Sequence, residues 1–262
     1  SGFRRSGKLA TTPPPATALA QWFSGPFTPQ RRLVVFPHAG AGALSGRDLQ
    51  TADTEVLTHR RPGRESRMAE PAVVDVPELV AEALAALLPI LDADERPTVA
   101  LGHSFGALLA AEFTAALDRE RPGRLESTVL SAKAAPPDRD SHLASILEDD
   151  AALAAWLLEL GGTPEELLTD PGLRELVLAP LRADLRASLS YDAAPPDLAT
   201  PLLLVHAQED RTASAESMAG WTSTGGTATL TIPGGHHGLF DHARELHDAL
   251  RSAVDGTTGG AR

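Results

Sequence analysis

The chain has no cysteine. That excludes disulfides, a thiol nucleophile and thiolate metal ligands, and it fits a cytoplasmic setting. Aromatic residues are scarce, at 4% of 262 positions, so Ala, Leu and Val must fill the interior. Positive charge is also short. There are 23 Lys and Arg against 35 Asp and Glu, a formal net charge of −12. Such a chain lacks the basic face that neutralises phosphates, which argues against a nucleic-acid partner. No apolar run approaches the ~20 residues of a membrane span, so no membrane association is expected. Arg4-Arg5 is not followed by the apolar core of an export signal, because Thr11 to Pro15 interrupts it.

What is present is an alternation of short apolar runs and helical patterns. Arg32 to Phe36, Glu55 to Thr58, Thr98 to His103, Ser127 to Ala132, Pro201 to Ala207 and Thr227 to Ile232 read as strands. Pro77 to Leu91, Phe105 to Leu117 and Asp241 to Val254 show helical spacing. This order predicts an α/β fold, a mostly parallel central sheet with helices on both faces. Between Pro136-Pro137 and Pro195-Pro196 only helical patterns occur: His142 to Leu147, Asp150 to Leu160, Thr163 to Leu168 and Asp170 to Leu189. The expected organisation is a disordered leader (1–18), a first core segment (19–135), a helical lid (136–194), a second core segment (195–254) and a flexible tail (255–262). Such an insertion usually lies over an active site.

The densest signal is Gly102-His103-Ser104-Phe105-Gly106, set between a strand and a small-residue helix. This is the nucleophile elbow of an α/β-hydrolase, a tight turn that exposes one serine hydroxyl. In that fold an acid and then a histidine follow in loops after late strands. Glu209-Asp210 follow one such strand and His236-His237 follow the last. Ser104 is therefore the candidate nucleophile, His236 the base and Asp210 the orienting carboxylate. Glu209 and His237 stay open as alternatives. The amides of Ala39 and Phe105 are the candidate oxyanion hole. His236, His237, His242 and His247 do not read as a metal site, because the last two fall on a surface helix without acidic ligands. Neither metal nor cofactor is expected.

Four segments carry a more specific likeness. They are Phe36-Pro37-His38-Ala39-Gly40, Arg61-Pro62-Gly63-Arg64-Glu65-Ser66-Arg67, the elbow through Ala107, and Pro233-Gly234-Gly235-His236. In this order they resemble the type II thioesterases of polyketide and non-ribosomal peptide biosynthesis. Leu160 to Glu165, Leu181 to Asp184 and Tyr191 continue the likeness through the insertion. The resemblance implies a serine hydrolase that releases acyl groups in trans from phosphopantetheine arms of acyl- and peptidyl-carrier domains, in editing or release. The pantetheine would come with the substrate, and the enzyme would be a cytoplasmic monomer. A small-molecule carboxylesterase and an integrated, type I thioesterase domain are the rival readings.

The chain departs from the family pattern at Gly40-Ala41-Gly42, where Gly-Gly is common, at Ala207, where Gly is favoured, at His237, where an aromatic is usual, and at Gly238, where a bulkier residue is common. Carrier domains are acidic, as is this chain, so docking would need a local basic patch. Arg60, Arg61, Arg64 and Arg67 are the candidates, with pairing to carboxylates as the alternative. Trp156, Leu157, Leu158 and Leu160 are candidates for an acyl channel, and Asp184 is expected to anchor the lid to the core.

Overall fold

A computed structural model describes residues 18–22, 28–137 and 140–258. Seven strands form one sheet in the order β1-β3-β2-β4-β5-β6-β7. They are β1 (Leu19–Trp22), β2 (Arg31–Phe36), β3 (Thr54–His59), β4 (Thr98–His103), β5 (Ser127–Ser131), β6 (Leu202–Ala207) and β7 (Thr227–Ile232). Only β1 runs antiparallel, against β3. The other neighbours pair in parallel, as crossover helices require.

Alternation along the strands divides the core. Val34, Phe36, Ala100, Leu130, Leu202 and Leu204 point to one face and pack on α1 (Val76–Leu91) and α2 (Phe105–Glu120). Leu33, Val35, Val99, Leu101, Val129 and Val205 point to the other, with Leu246 and Leu250 of α9 (Ala243–Thr258). The architecture is that of an α/β-hydrolase. Among the described residues, β1 is the one strand that sequence pattern did not predict. It has four residues and lies at the sheet edge, too short for a periodic signal.

Between β5 and β6 the described chain is helical: α3 (Ser141–Ile146), α4 (Asp150–Leu160), α5 (Glu166–Thr169) and α6 (Pro171–Ser190). Asp140, Asp149 and Asp170 cap three of these helices through their carboxylates. Leu143, Leu153, Leu157, Leu168, Leu178, Leu181 and Leu185 give this layer a core of its own. Two short helices, α7 (Ala215–Met218) and α8 (Gly238–Asp241), follow β6 and β7. Residues 1–17 of the expected leader and 259–262 of the expected tail lie outside the described residues. Residues 255–258, expected in the tail, belong to α9, which continues to Thr258. No proline blocks it, and the single Gly256 costs only about 1 kcal/mol.

α2 approaches β2 closely because Gly106 has no side chain. A Cβ there would sit 1.9 Å from the Phe36 carbonyl oxygen and 2.7 Å from that of Pro37. Backbone cannot yield as a side chain can. Gly123, at φ 74°, has nothing within 4 Å of such a Cβ and tests strain alone. Gly106→Ala is expected to lower Tm clearly more than Gly123→Ala in a thermal melt, since its Cβ would overlap two backbone carbonyls, whereas Gly123→Ala carries only the ~1–2 kcal/mol of a left-handed conformation. Equal shifts would contradict the close approach.

Candidate active site

Ser104 ends β4 and opens α2 with φ 55° and ψ −123°, a conformation that side chains avoid. The turn survives because both flanks are glycine. At Gly102 a Cβ would come within 2.1 Å of the Gly106 carbonyl oxygen. Hydrogen bonds fix it further: the Ser104 amide donates to the Ser131 carbonyl at 2.8 Å, and the Ala107 amide donates to the Ser104 carbonyl at 2.8 Å.

Asp210 follows β6 and His236 follows β7. The His236 Nδ1 lies 3.0 Å from an Asp210 carboxylate oxygen, and both residues are buried. Glu209 points to solvent and takes no part in this pair. Burial works against the charged Asp210 carboxylate. Its bonds from His236 and from the Thr212 side chain and amide prevail, so its pKa falls below the ordinary carboxylate value. His236 Nε2 is buried and has no hydrogen-bond partner among the described residues. His236 and Ser104 border one cavity of about 190 Å3, with Ala39 and Phe105. The hydroxyl and the ring are neighbours across that space without a formed hydrogen bond, as is common before substrate binds. The Phe105 amide, at the first position of α2, has no partner within its own helix. Leu143, Leu157, Leu181 and Leu185 line the cavity away from the serine, together with the polar Lys133, Asp140 and Ser188. Trp156 and Leu160 also line it, whereas Leu158 is exposed.

The four arginines require a correction. Arg61, Arg64 and Arg67 are buried, so they cannot form a docking patch. Arg61 and Arg64 pair with Asp184 of α6 at 2.9 and 2.7 Å. Arg67 joins Glu70 and Glu82 at 2.6 and 2.7 Å. Arg60 bonds Glu65 at 2.8 Å. These carboxylates hold the guanidinium groups inward, and a buried charge needs such partners. Burial pulls the Arg61 pKa down to about 10 against the pull of Asp184, so it stays charged at neutral pH. Asp184 is the lid-to-core anchor expected from the sequence, and it also accepts the Gly40 amide at 2.7 Å.

The family model for the thioesterase domain matches residues 31–253. The chain belongs to the thioesterase family. It is 37% identical over 251 residues to AMB antimetabolite synthetase AmbE of Pseudomonas aeruginosa, covering 92% of this chain and 12% of that protein. It is 34% identical to the probable cadicidin biosynthesis thioesterase of Streptomyces griseus, covering 85% of this chain and 62% of that one. The chain thus spans less than two thirds of the length of both relatives. Among solved structures it resembles the type II thioesterase BorB from the borrelidin biosynthetic cluster. The TM-score is 0.75 and the identity 28%, over 90% of this chain and 97% of that one.

One residue of the thioesterase site escaped sequence reasoning. The Thr212 hydroxyl donates to Asp210 at 2.7 Å and lies 2.9 Å from His236 Nδ1. It therefore bridges the acid and the ring. Spacing gives a weak hint, since a hydroxyl two residues beyond an aspartate often returns to it. Thr212→Val is expected to lower kcat by roughly tenfold, with KM little changed, because the ring loses one of its two orienting contacts. Thr212→Ser should restore most of the rate. Full activity in Thr212→Val would show that the bridge is idle.

Proposed function

We propose that this thioesterase hydrolyses acyl thioesters carried on phosphopantetheine arms of carrier domains, acting in trans on polyketide or non-ribosomal peptide assembly. The observation that carries this reading is the buried Asp210–His236 pair beside Ser104, at the mouth of a leucine-lined cavity, in a chain of this family. Ser104 attacks the thioester carbonyl while His236 Nε2 takes its proton. The amides of Ala39 and Phe105 receive the oxyanion. The imidazolium then protonates the departing thiolate of pantetheine, leaving an acyl-serine. Water, deprotonated by the same ring, releases the acid. Asp210 holds Nδ1 protonated throughout, so Nε2 carries the lone pair. The leucine lining favours aliphatic acyl groups, whose burial is worth about 0.8 kcal/mol per methylene.

The match to AmbE covers only 12% of that protein, which favours a second reading in which this unit works as an integrated domain on a tethered carrier. The chemistry is the same in both. No helix among the described residues is long and apolar enough to cross a membrane, and the expected site of action is the cytoplasm, as a monomer.

A panel of acyl-carrier substrates followed by intact-protein mass spectrometry tests the proposal. Unloading of aliphatic acyl chains is expected. Acyl-pantetheine thioesters should be cleaved faster than nitrophenyl esters of the same chain, and Ser104→Ala should lose roughly 10³-fold or more. Preference for the oxygen esters would make the protein a carboxylesterase. Unchanged hydrolysis by Ser104→Ala would remove the serine mechanism.

A further inference from the structure

Three imidazoles that the hydrolytic chemistry leaves unused meet behind the catalytic histidine. His38 follows β2, His103 ends β4, and His237 follows β7. One ring nitrogen from each lies within 4.8 Å of the others. The ring centroids are 4.7 Å apart for His38–His237, 5.5 Å for His103–His237 and 5.8 Å for His38–His103. Metal–nitrogen bonds of about 2.0–2.1 Å in a tetrahedron put imidazole centroids roughly 5 Å apart. The rings are thus spaced as three ligands of one ion would be.

The donor atoms suit that role. His38 Nδ1 and His103 Nε2 are buried and have no hydrogen-bond partner among the described residues. His103 is fully buried. Its Nδ1 lies 3.2 Å from the Ser131 hydroxyl, and when that hydroxyl accepts the Nδ1–H the other nitrogen keeps its lone pair for an ion, which would displace the ring's contact with the His236 backbone carbonyl. The Gly161 carbonyl, at the end of α4, favours the N–H of His237 and plays the same part there. Burial is the first cause that lowers all three pKa values, that of His237 to about 4. The rings are therefore neutral at pH 7, as ligands must be. His236 adjoins them, 5.1 Å from both His103 and His237, but its Nδ1 is taken by Asp210 and Thr212.

We propose that His38, His103 and His237 form a binding site for one divalent transition cation of the zinc class, and that occupancy inhibits the enzyme. Three neutral imidazoles, with a water as the fourth ligand, would suit Zn2+, Co2+ or Ni2+ and not the oxygen-seeking Mg2+ or Ca2+. His38 borders the catalytic cavity, which supplies a path of entry. Inhibition follows from position. A dication beside His236 opposes the positive charge that ring must take up when it accepts the serine proton. Ligation also ties His38, next to the proposed oxyanion residue Ala39, to His237, next to the base. The site stands apart from the proposed substrate, since zinc uptake is read without turnover.

The whole protein, stripped with a chelator, is titrated with ZnCl2 and followed by calorimetry and by competition with a chromogenic chelator. One ion per chain is expected, Co2+ should give the visible bands of a tetrahedral site, and Mg2+ should not bind. His237→Phe and His38→Phe should each weaken zinc binding by roughly tenfold or more, while His242→Ala, outside the cluster, should leave it unchanged. Each variant is first checked for a parental melting curve. Should one fail that check, the other decides. Zinc should reduce hydrolysis reversibly in the parent and much less in His237→Phe. Absence of stoichiometric uptake, or parental affinity in the folded variants, would overturn the site. Uptake with full activity would overturn the inhibition.

Discussion

Asp184 is fully buried, and both of its carboxylate oxygens are shared among three donors. From α6 it reaches the loop behind β2, where Oδ2 accepts the Gly40 amide at 2.7 Å, and it takes further bonds from Arg61 and Arg64. The same guanidinium groups hold that loop from its other side. Arg61 donates to the carbonyls of Pro37 and His38 at 2.9 and 2.7 Å, and Arg64 donates to that of Ala41 at 3.0 Å. Ala39 sits inside this clamp. Arg61 also lies 5.4 Å from the centroid of the Phe105 ring, so one cation touches the surroundings of both proposed oxyanion amides. Removing one member of such a buried cluster leaves charge without a partner, which costs about 3–5 kcal/mol. The helical layer between β5 and β6 and the loop after β2 are therefore tied together.

Around that clamp, the proposed reactive groups all stand at the carboxyl ends of parallel strands. β2, β4, β6 and β7 deliver the Ala39 loop, Ser104, Asp210 and His236 in turn. The strands are rigid and the loops short, so side chains far apart in sequence meet with little freedom. Ser104 is one of three described non-glycine residues with positive φ, with Glu65 and Ala132, and glycines on either side let strand and helix approach closely around it. Elsewhere the chemistry depends on paired polar groups: Asp210 with His236 and Thr212, and Asp184 with two arginines. Burial opposes the charge of both carboxylates; the bonds from His236 and Thr212 outweigh it at Asp210, and the charges of Arg61 and Arg64 outweigh it at Asp184.

Much of this was legible in the residues. Strands β2 to β6 showed as apolar runs because both sheet faces are covered there, the mostly exposed edge strand β7 showed by its β-branched residues, and the elbow showed because a tight turn demands small residues at fixed spacing. Chain order pointed to the loops of Asp210 and His236, and the fold brings these two residues into one buried pair. Chain order alone could not choose between Glu209 and Asp210, because adjacent residues leave a loop in opposite directions and only the fold decides which faces inward. The arginine cluster misled for a related reason. Arg61 and its carboxylate are 123 residues apart, and nothing local distinguishes a buried basic run from an exposed one. Thr212 and the His38–His103–His237 group were hidden too, since each depends on contacts between separate loops.

The most direct test of the clamp is amide hydrogen exchange on Asp184→Ala, paired with its steady-state kinetics. If Asp184 holds the loop, protection at Gly40 and through α6 falls together, and kcat drops by roughly a hundredfold as the amides lose their aim. Parental exchange at Gly40 with parental kcat would show that the reactive loop is held by something else.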